Sequence, residues 1–323
     1  MKAAHVVAHR QIKVFEVEAP KIEDFPVGSI KVKTRMTAIC GSDSPHFVLK
    51  RQAEDYPLNI GISIHECVGT VAESRSHQFK AGDLVQARPT AGIGGLAEYY
   101  ISHDNVAVKL VDFDPLDQML MSQPLGTVIW AVRKLGNILN QDTVVLGQGP
   151  MGLLMTHMLS NLGAKTIIAA DTVDFRLATA RKMRATHTVN PEREDIVAQV
   201  REITDGRMAD LVVEVVGHNQ QTVNLCLKLA KRLGTVLTFG VPDEDIYAFQ
   251  YGEFFSKNVT MIGSVGPDSQ NDYPLAMDMI AQGRLDVSPL ITHHLPFTEV
   301  QRGFELFIDH RDQAIKVVLD YEQ

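Results

Sequence analysis

Thr143-Val-Val-Leu-Gly-Gln-Gly-Pro-Met-Gly152 decides the fold. The β-prone run Thr143–Leu146 leads directly into a Gly-x-Gly-x-x-Gly turn, and Met151 to about Asn161 has the apolar content and length of a helix. A second apolar run, Thr166-Ile-Ile-Ala-Ala-Asp171, ends on a carboxylate nineteen residues after the last glycine. A glycine turn alone is common wherever a strand meets a helix. Strand, turn, helix, strand and acid together form the pattern of a dinucleotide-binding βαβ unit.

Each residue type has a physical reason. Gly147 permits the tight turn out of the strand, Gly149 lets backbone approach a pyrophosphate, and Gly152 lets the following helix pack closely. The helix that starts at Met151, just after Pro150, offers free N–H groups and the positive end of its dipole to phosphates. Asp171 can accept both hydroxyls of an adenosine ribose and would repel the extra phosphate of NADP, so the expected cofactor is NAD in preference to NADP. Arg176, five residues on, can contact a 2′-phosphate or cover the adenine face.

The 323-residue length is that of two domains, and a formal net charge of −8 argues against nucleic acid or an anionic membrane as partner. No apolar run reaches the roughly 18 residues that a membrane helix needs. Three scattered cysteines, Cys40, Cys67 and Cys226, do not make a disulfide framework, and the first residues lack the apolar core of a signal peptide, so a cytoplasmic location is expected.

Up to about residue 110 the chain reads as short β-runs: Ala3–Ala8, Ile30–Met36, Glu66–Ala72, Leu84–Ala87 and Ala97–Ile101. A helical period runs from Leu116 through Lys134. Strands Thr143–Leu146, Thr166–Ala170, Leu211–Val216, Thr235–Phe239 and Val259–Gly263 then alternate with helices Phe175–Arg184, Ile196–Thr204 and Gln221–Arg232. This alternation predicts an α/β fold with a doubly wound parallel sheet, beside a mostly β first part. Pro267 and Pro274 bracket a boundary before a helix at Leu275–Gln282, with a last helix around Phe304–Phe307 and a last strand at Ile315–Leu319.

Ahead of the nucleotide unit stand Ile39-Cys-Gly-Ser-Asp43 and Ile64-His-Glu-Cys-Val-Gly69. A thiolate, an imidazole and a carboxylate are the ligands of a catalytic zinc with an open position. Singly, Cys40 and His65 read as ordinary core residues, and Cys67 alternates away from His65 on a strand.

Several segments occur in one order: Cys40-Gly-Ser-Asp43, His65-Glu66 with Val68-Gly-Thr-Val71, Ala81-Gly-Asp-Leu-Val85, Gly95-Leu-Ala-Glu-Tyr99, the glycine turn, Glu214-Val-Val-Gly217, Phe239-Gly-Val241 and Met261-Ile-Gly-Ser264. Together they resemble the zinc-dependent medium-chain dehydrogenase/reductase family of alcohol, polyol and threonine dehydrogenases. The resemblance implies a GroES-like catalytic domain from residues 1–121 and 267–323, with a Rossmann NAD-binding domain at 122–266. It implies zinc on Cys40 and His65 with Glu66 able to bind the metal, and Ser42 as the first group of a proton relay. Asp43 would orient His65, Thr127 and Met151 would face the nicotinamide, and Lys316 would reach the cofactor phosphates. The substrate would be a small alcohol, polyol or sugar, and the assembly a homodimer or homotetramer through the Gly240–Ser264 region. Phe47, Arg88 and Trp130 are candidate pocket residues.

Three departures from the family pattern stand out. The third protein ligand, normally a cysteine or carboxylate before Pro-Leu, is Gln123 here, a neutral and weaker donor. The relay histidine position holds Pro45, with His46 one residue later. The lobe that carries a structural zinc is missing, since only Ala87 to Gly94 separates its flanking motifs, so one catalytic zinc and no structural zinc are expected. Gln123 also leaves open a zinc-independent reductase of the same superfamily, or a non-catalytic NAD-binding protein with an impaired metal site.

Overall fold

The computed structural model describes residues 1–322, which divide into two compact units: residues 1–126, 268–283 and 291–322 form the first, Thr127–Pro267 and Arg284–Leu290 the second. In chain order the first contributes β1 (Lys2–Ala8), β2 (Gln11–Glu16), β3 (Ser29–Ala38), helix α1 (Ser44–Val48), β4 (Glu66–Ser74), β5 (Leu84–Ala87), β6 (Tyr99–His103), β7 (Ala107–Lys109), α2 (Leu116–Leu120) and the start of α3 (Ser122–Val132). The helical period from Leu116 to Lys134 is thus two helices with a break at Met121.

The second unit is a six-stranded parallel sheet. Its elements are β8 (Asp142–Leu146), α4 (Pro150–Asn161), β9 (Thr166–Ala170), α5 (Asp174–Lys182), β10 (His187–Val189), α6 (Ile196–Ile203), β11 (Ala209–Glu214), α7 (Gln220–Leu229), β12 (Ala230–Thr238), α8 (Tyr251–Lys257) and β13 (Thr260–Gly263). The order β10-β9-β8-β11-β12-β13 is that of a doubly wound nucleotide fold, and it reverses between β8 and β11. Val144, Ile168, Val212 and Val236, one from each of four neighbouring strands, form the centre of its core. Helix α7 stops at Leu229, three residues short of the expected Arg232. Lys231 and Arg232 belong to β12, and Leu233 takes a positive φ of 62° that no helix accommodates.

The chain then returns to the first unit with α9 (Ser269–Ala281), β14 (Ile291–Pro296), α10 (Val300–Ile308) and β15 (Lys316–Asp320). Helix α9 starts six residues before the expected Leu275, because the Asp268 side chain caps it by accepting from the Gln270 N–H, and Pro274 lies inside it. The carbonyl that Pro274 cannot satisfy belongs to exposed Gln270, where water can reach it. The main sheet runs β14-β15-β3-β4-β5-β7, with β6 also paired to β3. Its core gathers Ile30, Val32, Val71, Tyr100, Phe304 and Leu319. Phe47, a candidate pocket residue, is fully buried here against Phe304, at 5.3 Å between ring centroids.

Candidate active site

Strand register assembles the first cluster. β3 and β4 are antiparallel with Ala38 opposite Glu66, and β3 and β15 are antiparallel with Val318 opposite Ala38. Cys40, two residues beyond Ala38, therefore falls between His65-Glu66 on one side and Lys316 on the other. The ligand atoms of Cys40, His65 and Glu66 all lie within 4.8 Å of one another, the one such group of three among the described residues. Cys40 and His65 are half-buried and Glu66 is fully buried.

Asp43 organises the loop after β3. One oxygen accepts from the Cys40 backbone N–H at 2.8 Å, and the other accepts from the Ser63 hydroxyl at 2.7 Å and lies 3.6 Å from Nδ1 of His65. Burial alone would depress the imidazole of His65, but Asp43 and Cys40 outweigh it and hold its pKa well above the ordinary value. Ser42 lies half-buried in the short turn Gly41–Asp43, and His46 is half-buried on α1. Burial is the main influence on His46 and lowers its pKa, with Asp43 opposing and Arg51 assisting, so its ring is neutral at neutral pH.

Lys316 corrects an expectation. Its ammonium donates to both carboxylate oxygens of Glu66, at 2.9 and 2.8 Å, and to the Ile39 carbonyl at 3.2 Å. The side chain is wholly buried in this pair, so it is not displayed toward a cofactor phosphate. The motif Ile315-Lys-Val-Val-Leu319 carries no sign of the partner, which only the β15–β3–β4 adjacency supplies.

Gln123 is buried on the first turn of α3, and its amide nitrogen donates to the Tyr273 hydroxyl at 3.4 Å. The neighbouring Ser122 hydroxyl hydrogen-bonds with the Gln86 side chain of β5 and with the Met119 carbonyl at 2.6 Å, which locks this turn onto the sheet. Tyr273 carries no sequence signal of its own, being one aromatic among helical apolar residues on α9. Burial first, and then Glu66, raise its phenol, while Gln123, His65 and Arg88 lower it, so these groups act on one hydroxyl.

In the second unit the glycine turn has the geometry its sequence requires. Gly147 adopts φ 93°, and a Cβ on Gly152 would stand 1.9 Å from the Gly147 carbonyl oxygen. A Cβ on Gly149, the N-cap of α4, would meet no atom within 4 Å, so the mouth of the turn is open to an approaching phosphate. Pro150 occupies the first position of α4, where its missing N–H costs nothing, and Met151 follows, half-buried. Asp171 accepts the Gln148 N–H at 2.6 Å and the Val173 N–H at 2.9 Å, and Arg176 stands 3.9 Å from it. Thr127 is half-buried on α3.

Residues 26–112 match the model of the alcohol dehydrogenase GroES-like domain, and residues 150–282 that of the zinc-binding dehydrogenases. The chain belongs to the zinc-type medium-chain dehydrogenase family. Within it, the chain is 29% identical to an L-threonine 3-dehydrogenase of Caldanaerobacter subterraneus, covering 95% of this chain and 94% of that protein. It is 27% identical to the D-arabitol-phosphate dehydrogenase of Enterococcus avium over 96% of this chain and 94% of that one. An alcohol dehydrogenase from Thermus sp. ATN1 superposes with a TM-score of 0.88 at 26% identity, over 99% of both chains. Among the described residues of this family member, no helix is long and apolar enough to cross a membrane.

Proposed function

We propose that the protein is an NAD-dependent and zinc-dependent dehydrogenase that transfers hydride between the cofactor and a secondary alcohol, polyol or sugar. The convergence of Cys40, His65 and Glu66 within 4.8 Å carries this reading, because thiolate, imidazole and carboxylate are the donor set of a catalytic zinc. Cys40 and His65 would hold the ion, with Gln123 or one free lone pair of Glu66 completing the shell. A zinc ion bound there supplies a Lewis acid for the alcohol oxygen, and a bound nicotinamide supplies the hydride acceptor. The open turn at Gly149 and the N-terminus of α4 would take the pyrophosphate, and Asp171 the ribose.

The chain's own groups do the rest. Asp43 holds the Cys40 backbone and keeps the His65 ring turned by its contact at Nδ1. Ser42 Oγ takes the proton from the substrate hydroxyl and passes it outward, and the neutral ring of His46 can receive it. Glu66, neutralised by Lys316, adds no net charge of its own to the site.

The surface of the second unit supports a homodimer or homotetramer. β13 is an edge strand with unpaired backbone, and Ile246, Tyr251 and Phe255 nearby in sequence are strongly exposed. Light scattering on the purified protein and on an Ile246→Asp/Phe255→Asp variant tests this, with a monomeric wild type as the contrary result. The function itself is tested by metal analysis with NADH formation on a panel of alcohols and polyols. One zinc per chain, with loss of turnover but retained NAD binding in Cys40→Ala, is expected; full activity without metal would overturn it.

A further inference from the structure

We infer that the substrate carries an anionic group, a carboxylate or a phosphate ester, and that the guanidinium of Arg88 holds it. β4 and β5 are antiparallel with Val68 opposite Gln86, and Arg88 directly follows Ala87, the last residue of β5, at the end of that strand nearest Glu66, the strand residue of the metal cluster. The Gln86 side chain meets the Ser122 hydroxyl, beside Gln123, so this end of β5 lies against the turn that carries Gln123. The backbone of Arg88 is anchored, its carbonyl accepting from the Ser102 hydroxyl at 2.7 Å. Its side chain is exposed and makes no hydrogen bond or ion pair among the described residues.

The charges around the cluster make this free cation stand out. Lys316 is consumed by Glu66 in a wholly buried pair, and Asp43 is occupied by Cys40, Ser63 and His65. A planar guanidinium without a carboxylate partner matches a carboxylate or a phosphate through two parallel N–H bonds. A neutral polyol would leave that fork facing water. The inference rests on the proposed dehydrogenase site, since it takes the substrate hydroxyl to lie at Cys40 and His65.

The test uses NAD-loaded full-length protein titrated by calorimetry with sorbitol, sorbitol 6-phosphate, gluconate and L-threonine, with NADH formation followed in parallel. At least one anionic compound should bind about tenfold or more tighter than sorbitol, and Arg88→Ala should bring the two within about twofold while Arg88→Lys keeps part of the preference. The phosphate and carboxylate arms separate the two anions. Equal binding of neutral and anionic compounds, or a preference that survives in Arg88→Ala, overturns the inference. Anion preference without any NADH formation would count against the dehydrogenase reading alone, and turnover without anion preference against this inference alone. Arg88 is exposed, so the variants should keep the wild-type Tm, which checks that a lost preference is not lost folding.

Discussion

The ammonium of Lys316 lies 2.9 and 2.8 Å from the two oxygens of Glu66, and neither side chain has any exposure to solvent. Burial opposes the charge on Lys316, but Glu66, with Cys40 and Asp43, more than compensates and raises its pKa. Removing one partner strands the other as a buried charge. Lys316→Met should therefore cost about 3–5 kcal/mol in a urea titration, whereas Glu66→Gln with Lys316→Met should recover much of it. A single substitution with wild-type stability would show that the pair is not closed in solution.

Gln123 sets the strength of the metal site. A glutamine oxygen donates to zinc without charge, so Gln123→Glu should tighten zinc by about tenfold or more, read by competition with a chromogenic chelator. Cys40→Ala should weaken it by a larger factor in the same assay. Unchanged affinity in Gln123→Glu would place this side chain outside the metal shell, held instead by Tyr273.

Asp171 tests the cofactor. Asp171→Ser removes the carboxylate that disfavours a 2′-phosphate while Arg176 stays nearby, at 3.9 Å in the wild type. The ratio of kcat/KM for NADP to that for NAD should rise by about tenfold or more. A ratio already favouring NADP in the wild type would decide the two roles open to Arg176 in favour of a 2′-phosphate contact.

Gly152→Ala tests the turn. Its Cβ would stand 1.9 Å from the Gly147 carbonyl, and neither backbone can move without displacing β8 or α4. A loss of about 1–3 kcal/mol is expected, with weaker NAD binding by fluorescence titration. Gly149→Ala, whose Cβ meets nothing, should leave stability close to wild type and weaken only NAD binding.

His157 on α4 gives a pH signature. Burial first, and Arg184 second, lower its pKa from 6.5, with Asp286 opposing. Below 6.5 the unfolded chain takes up a proton that the folded ring resists, so the unfolded state binds more protons and stability falls as pH falls, until the lower folded pKa is passed. His157→Leu should flatten this part of the Tm against pH curve as the pH falls below 6.5. An equal slope in both proteins would assign the acid loss to other groups.

The cofactor half is legible residue by residue because its constraints are local. A positive φ at Gly147, the missing side chain at Gly149 and the close contact at Gly152 depend on neighbours within six positions of chain. Alternating apolar runs likewise mark most strands, and the misses fall where tertiary context overrides propensity, as at Ala230–Arg232, which left helix for strand. The metal half is different. Cys40, His65 and Glu66 are recognisable as types, but their meeting depends on how β15, β3, β4 and β5 align, and the partner of Lys316 and the freedom of Arg88 follow from that alignment alone. Backbone conformation is set by residues a few bonds apart. Charge pairing between positions 66 and 316 is set by sheet register, which no local pattern encodes.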